Sequence, residues 1–301
     1  MKRIFFVGIV FCLFTAFCAM CITPSRAWNN GDANDIYYGV RFGSHDWIAH
    51  RAMQFLPTNN RTWYQDEYIT FYLIGTEAPD NGSIDLGNGL IGYGDTWSHH
   101  NYYNEYYNET LPDEDDASIR AQEEYDKAVD AINLNNLSAA LFYAGAMTHY
   151  ISDLAVWGHV MNNESVHGLF ENSAQNKMDE PTETFFTVTF DSIYDNFTAY
   201  NAAFLMGQET AGNGSGLYTA VWMDNNYEAF GSKDQPESIF DFRVQYLINL
   251  ATNLIADLLY KIFYDFEWEN DGAEPRIPWY IILLIFILIL GLCALIIIAL
   301  K

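Results

Sequence analysis

The run from Leu137 to about Val160 is apolar enough to be the core helix of a helical protein, yet it carries His149 and Asp153, four residues apart. On a helix those two side chains project from one face, within reach of a single shared partner. Burying a histidine and a carboxylate among apolar residues is costly unless they are hydrogen-bonded or bound to a metal. A His–Asp hydrogen bond in the core would satisfy this pair alone. The same explanation must then be repeated for His159, and again for His167 and Glu171, a second pair four apart. Five residues of metal-ligand type at these spacings suggest more than one metal. Imidazole and carboxylate without thiolate suit zinc ahead of manganese or iron.

Helical patterns dominate the rest of the chain. Ser44 can cap a helix that runs to Phe55 before Pro57, and Ala117–Leu134 is rich in Ala, Glu and Lys. Further helices are expected over Thr182–Tyr200 and from Ser238 to about Phe266. Strand alternation is scarce, and the stretches 81–95 and 212–216 are rich in turn residues. No linker or internal repeat divides the middle of the chain, so the expectation is all-α, a single multi-helix domain.

The two ends are different. Met1-Lys2-Arg3, an apolar stretch from Ile4 to about Cys21, and Ser25-Arg26-Ala27 form a signal peptide over residues 1–27, so the mature protein would begin at Trp28. Residues 277–300 contain no charge and are long enough to cross a hydrocarbon core of about 30 Å as a helix. Trp279 and Tyr280 sit where interfacial aromatics belong, and Lys301 closes the far side. A cleaved signal exports the chain and the C-terminal transmembrane helix stops it. The expected location is therefore the cell membrane, single-pass, with residues 28–271 as an extracytoplasmic ectodomain.

Other features agree with export. Cys12, Cys18, Cys21 and Cys293 all lie in the hydrophobic ends, so the exported part has no disulfide and no thiolate ligand. Asn-X-Ser/Thr patterns at Asn60, Asn81, Asn108, Asn136, Asn163, Asn196 and Asn213 fit a glycoprotein. The formal net charge is −25, and all 39 acidic residues lie between the hydrophobic ends. Such a surface opposes the approach of polyanions, so a nucleic-acid partner is not expected.

The ordered series Ser44-His45-Asp46-Trp47, Pro79-Asp80-Asn81, Trp97-Ser98-His99, His149-Tyr150-Ile151-Ser152-Asp153, His159 and His167-Gly168-Leu169-Phe170-Glu171 resembles the zinc-dependent bacterial phospholipase C family over about residues 28–171. The resemblance implies a mainly helical domain holding three zinc ions. By matched position, Asp80, His99, His149 and Asp153 would hold the first, with Asp153 bridging to the third; His159, His167 and Glu171 would hold the second. His45 and the α-amine and carbonyl of Trp28 would hold the third. An α-amine with a pKa near 8 can offer a lone pair at neutral pH, whereas a peptide nitrogen has none. Signal cleavage after Ala27 would then complete the site. Alignment on Ser98 selects His99 over His100, and His50, five residues from His45, points elsewhere.

The activity implied is hydrolysis of phospholipid head groups by a zinc-activated hydroxide, with Asp80 and Asp153 as catalytic carboxylates and Asp80 also accepting a proton. The sequence departs from the family's choline pocket: Asn81 follows Asp80, and Thr96 stands three residues before His99. Two alternatives fit less of the pattern. A three-zinc single-strand nuclease or 3′-nucleotidase shares the N-terminal Trp, but its last ligands differ from the His-X-X-X-Glu seen here and the acidity opposes its substrate. A non-catalytic, zinc-stabilised surface protein could use the Tyr-rich stretch 102–107 for binding.

Overall fold

The computed structural model describes residues 43–57, 68–95, 98–103, 114–161, 165, 167–178, 186–212, 218–227 and 237–264. Packing divides the chain into Met1–Asp265 and Phe266–Lys301, and all described residues belong to the first unit. Trp28, the expected signal peptide and the apolar segment 277–300 lie outside them. No described helix is long and apolar enough to cross a membrane.

The described residues are mostly helical and contain no strand, only the isolated bridges Asp85–Ile91 and Tyr102–Glu114. We number the α-helices α1 (Ser44–Gln54), α2 (Tyr68–Glu77), α3 (Asp116–Asn133), α4 (Leu137–Asp153), α5 (His167–Met178), α6 (Ala199–Ala211), α7 (Ala220–Asn226) and α8 (Glu237–Phe263), with a 3₁₀ turn over Trp157–Val160 between α4 and α5. The all-α expectation holds for these residues.

α4 is the centre. Asn136 caps it by accepting the Ala139 N–H at 3.2 Å, and from Ala139 to Asp153 only Tyr143 is not buried. It packs chiefly against α2 and α3. Its alanines and Gly145 let neighbours approach closely: a Cβ on Gly145 would lie 2.0 Å from the Tyr72 carbonyl oxygen, and one on Gly75 would lie 2.1 Å from that of Phe142. α2 and α4 therefore cross backbone against backbone, which brings the carbonyl of Thr76 to the ring of His149.

Three expectations change. Gly43, not Ser44, caps α1, with Asp46 accepting the Gly43 N–H; Ser44 lies inside the helix and its hydroxyl donates to Gln175 of α5. The helix expected to reach Val160 stops at Asp153, because the chain turns at Leu154–Ala155 before the 3₁₀ turn. A continuous helix would carry His159 round to another face, whereas the break lets it return to Asp153. The described part of the expected helix 182–200 is non-helical until Ala199, with Ser192 at a positive φ of 69°. Its backbone bonds instead to amides spaced four apart on α8: Thr187 to Gln245, Thr189 to Asn249 and Asp191 to Asn253. Two extended residues and four helical residues advance by nearly the same distance, about 6–7 Å, so the rungs stay in register.

Replacing Gly145 with alanine forces a methyl into the α2 backbone and should lower unfolding stability by on the order of 3 kcal/mol, measured by denaturant unfolding. A change below about 0.5 kcal/mol, the range of ordinary surface substitutions, would contradict the close crossing.

Candidate metal centre

Asp153, the last residue of α4, is fully buried, and among the described residues no donor reaches either carboxylate oxygen in hydrogen-bond geometry. Imidazole nitrogens surround it. Oδ2 lies 3.0 Å from His99 Nδ1 and 3.0 Å from His149 Nε2; Oδ1 lies 3.3 Å from His45 Nε2 and 3.7 Å from His159 Nε2. The carboxylate thus has two sides, each facing two rings.

Neighbouring atoms fix which ring nitrogens point inward. A carbonyl only accepts, so His149 Nδ1 donates to Thr76 O at 2.6 Å and its Nε2 lone pair faces the cluster. Ser152 spends its hydroxyl proton on the His149 carbonyl at 3.0 Å, so its oxygen accepts from His45 Nδ1 at 2.6 Å. This turns His45 Nε2 toward Asp153. His99 meets Asp95 through Nε2 at 3.3 Å, while its Nδ1 faces Asp153 and, at 3.3 Å, Asp80. The His45 and His149 rings stack with centroids 4.1 Å apart.

Lone pairs and carboxylate oxygens therefore converge on one small space. His45, Asp80 and His149, and separately His99, His149 and Asp153, each place one ligand atom within 4.8 Å of the others. Such a space calls for a cation, and the donor set, all nitrogen and oxygen, fits zinc. In the metal-free protein, protons take that role. Burial would lower the His99 pKa, but the carboxylates of Asp153 and Asp95 beside the ring and the surrounding negative charge push it up to about 10. Burial likewise opposes a charge on His149, yet Asp153 and Asp80 raise its pKa. Burial and His149 together lower that of His45. Asp153 is held well below the usual carboxylate range, burial being outweighed by His159, His149 and His45.

Around the corner, His159 Nε2 lies 3.5 Å from Glu171 Oε1, both residues buried. Glu171 sits on α5, which the Ser44–Gln175 contact ties to the start of α1. His167 opens α5 four residues earlier, and its side chain is outside the described residues. The described part of the predicted set, His45, Asp80, His99, His149, Asp153, His159 and Glu171, thus gathers around Asp153. His99 is the member of the His99/His100 pair that enters the cluster; His100 stacks instead on Tyr102 and His159. His50 stays apart on α1, its pKa lowered to about 4 by burial and by Arg51.

Sequence reasoning missed Ser152, the Thr76 carbonyl and Asp95. Asp95 stands four residues before His99, a spacing that could have flagged it. A backbone carbonyl supplied by another helix leaves no mark in sequence.

A helical protein with a buried carboxylate shared among imidazoles is, as a class, a candidate multi-metal hydrolase. The description "zinc dependent phospholipase C" belongs to a family model that matches residues 44–207, more than half the chain. This chain is a member of that family and hence a zinc-dependent phosphoric ester hydrolase. Among solved structures it is similar to the alpha-toxin of Clostridium perfringens from avian strain SWCP, at 17% identity over 81% of this chain and 68% of that one, with a TM-score of 0.47. It is also similar to the alpha toxin of Clostridium absonum, at 16% identity over 80% and 68%, with a TM-score of 0.46. No curated protein sequence matches it significantly.

A proton that the fold holds on His99 up to about pH 10, against about 6.5 in the unfolded chain, stabilises the metal-free fold fully below about pH 6.5. That contribution fades as pH rises through 10. Zinc must displace the same proton, so zinc uptake at pH 7.5 should release about one proton or more. Titration calorimetry in two buffers of different ionisation enthalpy measures this, and identical heats in both would contradict the assignment.

Proposed function

We propose that this chain is a membrane-anchored, extracytoplasmic phospholipase C that hydrolyses phospholipid head groups at a three-zinc site. The observation that carries the reading is the two-sided Asp153, which offers one oxygen to the His99/His149 side and the other to the His45/His159 side. A carboxylate so placed suits a bridge between two ions. Asp80, His99, His149 and Asp153 would form the first ligand set, His159, His167 and Glu171 the second, and His45 with the amino end of Trp28 and Asp153 the third.

When bound, zinc supplies Lewis acidity, acidifying water and neutralising charge on phosphoryl oxygens. The chain's own residues do the rest. Thr76 and Ser152 lock the His149 and His45 rings so that no ligand reorganises during turnover. Asp80, at 18% side-chain exposure the most open carboxylate of the first set, stands where a proton can be taken up and passed to solvent. Asp153, fully buried, remains ionised and holds the two sides together. The uncharged segment 277–300 would keep the site beside its lipid substrate, and the acidic surface disfavours nucleic acid.

Purified full chain with zinc should hydrolyse phospholipid, with p-nitrophenyl phosphocholine as a second substrate that reads head-group choice, and leave single-stranded DNA intact. Cleavage of DNA alone would favour the nuclease reading, and zinc binding without turnover the non-catalytic one. Asp153→Asn should lower activity by more than the about 10- to 100-fold that outer-shell changes cost, with zinc lost in parallel by metal analysis. Wild-type zinc content in that variant would sink the bridging role.

The N-terminal ligand has its own test. A variant that retains a single residue before Trp28, verified by intact mass, should bind one zinc fewer than the processed protein. Full zinc content and activity in that variant would exclude the α-amine as a ligand.

A further inference from the structure

We propose that Asp95 is a positioning residue that fixes His99 as an Nδ1 ligand, and that Tyr150 and Arg120 hold Asp95 in place to do so. The inference rests on the zinc-site reading above and extends it beyond the matched ligands.

Asp95 receives donors from three directions. Its Oδ1 lies 3.3 Å from His99 Nε2. The Tyr150 hydroxyl lies 3.0 Å from Oδ1 and 2.8 Å from Oδ2, and Arg120 Nε donates to Oδ2 at 3.1 Å. A carboxylate cannot donate, so its contact with His99 keeps a ring proton on Nε2. Nδ1 is then the nitrogen that faces Asp80 and Asp153, and loss of its proton would free a lone pair on that side.

The clamp is itself restrained. Tyr150 neighbours the ligand His149 on α4, and its ring lies edge-on to His99 at 5.3 Å between centroids. Arg120, on α3, is bound by Glu123 and by Glu124 at 2.9 Å, and its guanidinium lies 5.3 Å from the Tyr150 ring centre. Glu124 in turn accepts from Tyr93 at 2.7 Å. A chain of fixed contacts thus runs from α3 to the back of His99. The arrangement is that of an outer-shell carboxylate orienting a metal-bound imidazole.

The inward nitrogens supply a signature that a merely structural network would not. His149 and His45 present Nε2, because Thr76 O and Ser152 Oγ hold their Nδ1 atoms. His99 should be the opposite. Imidazole ¹⁵N correlation spectra of the zinc-loaded full chain should show His99 protonated on Nε2 and metal-bound through Nδ1. Binding through Nε2 would overturn the proposal.

Asp95→Asn keeps the shape but can turn its amide nitrogen toward His99. Zinc affinity, measured by chelator competition, should fall about 10- to 100-fold. The visible spectrum of the cobalt-substituted variant should shift. Asp95→Glu, which restores the charge, should recover part of the affinity. Tyr150→Phe removes one donor to Asp95 with minimal change of shape and should weaken zinc several-fold, which keeps the test decisive if Asp95→Asn does not fold. Wild-type affinity and cobalt spectrum in both Asp95→Asn and Tyr150→Phe would refute the clamp alone. Failure of the wild-type chain to bind zinc would refute the clamp together with the reading it rests on.

Discussion

The Asp153 carboxylate, buried at the end of the central helix and facing imidazoles on both sides, is the interaction on which the rest of the structure depends. An ionised carboxylate out of contact with water is costly unless opposite charge comes to it. In the metal-free protein that charge is carried by protons on the His99 and His149 rings; in the loaded enzyme it would be carried by metal. Elements distant in sequence meet at this residue: α1 through His45, the loop after α2 through Asp80 and His99, and the 3₁₀ turn through His159.

The fold serves that meeting through a few local decisions. Two glycines, Gly75 and Gly145, let α2 and α4 touch backbone to backbone, and the same crossing delivers the Thr76 carbonyl that locks His149. Termination of α4 at Asp153 turns the chain back and aims His159 inward. Stability and function are coupled here, because loosening the crossing would free the ring as well as open a packing defect.

Much of the site was legible in the sequence, for a physical reason. Metal ligands must be particular residue types, and spacings of four on a helix announce themselves, so His149/Asp153 and the separate Asp80 and His99 stand out before any fold is known. The break after Asp153 did not stand out, because Leu154–Val156 is as apolar as the helix before it and hydrophobicity alone does not tell a helix from a turn. The extended segment near Thr187 was equally hidden: its conformation is set by amides on α8, more than fifty residues later, overriding local helical preference. α2, α6 and α7 were not anticipated as separate helices. Thr198 and Thr219 supply the caps of the last two, a signal present in the sequence but too common to decide boundaries. The network behind His99 escaped because tyrosine, arginine and aspartate are ordinary surface residues until the fold brings them together.

Collecting diffraction on either side of the zinc absorption edge from crystals of the zinc-loaded chain tests the central claim most directly. The account predicts an anomalous peak bounded by Asp153 Oδ2, His99 Nδ1 and His149 Nε2, with oxygen and nitrogen neighbours only. Loaded crystals with no peak at that position, or with zinc bound away from Asp153, would contradict it.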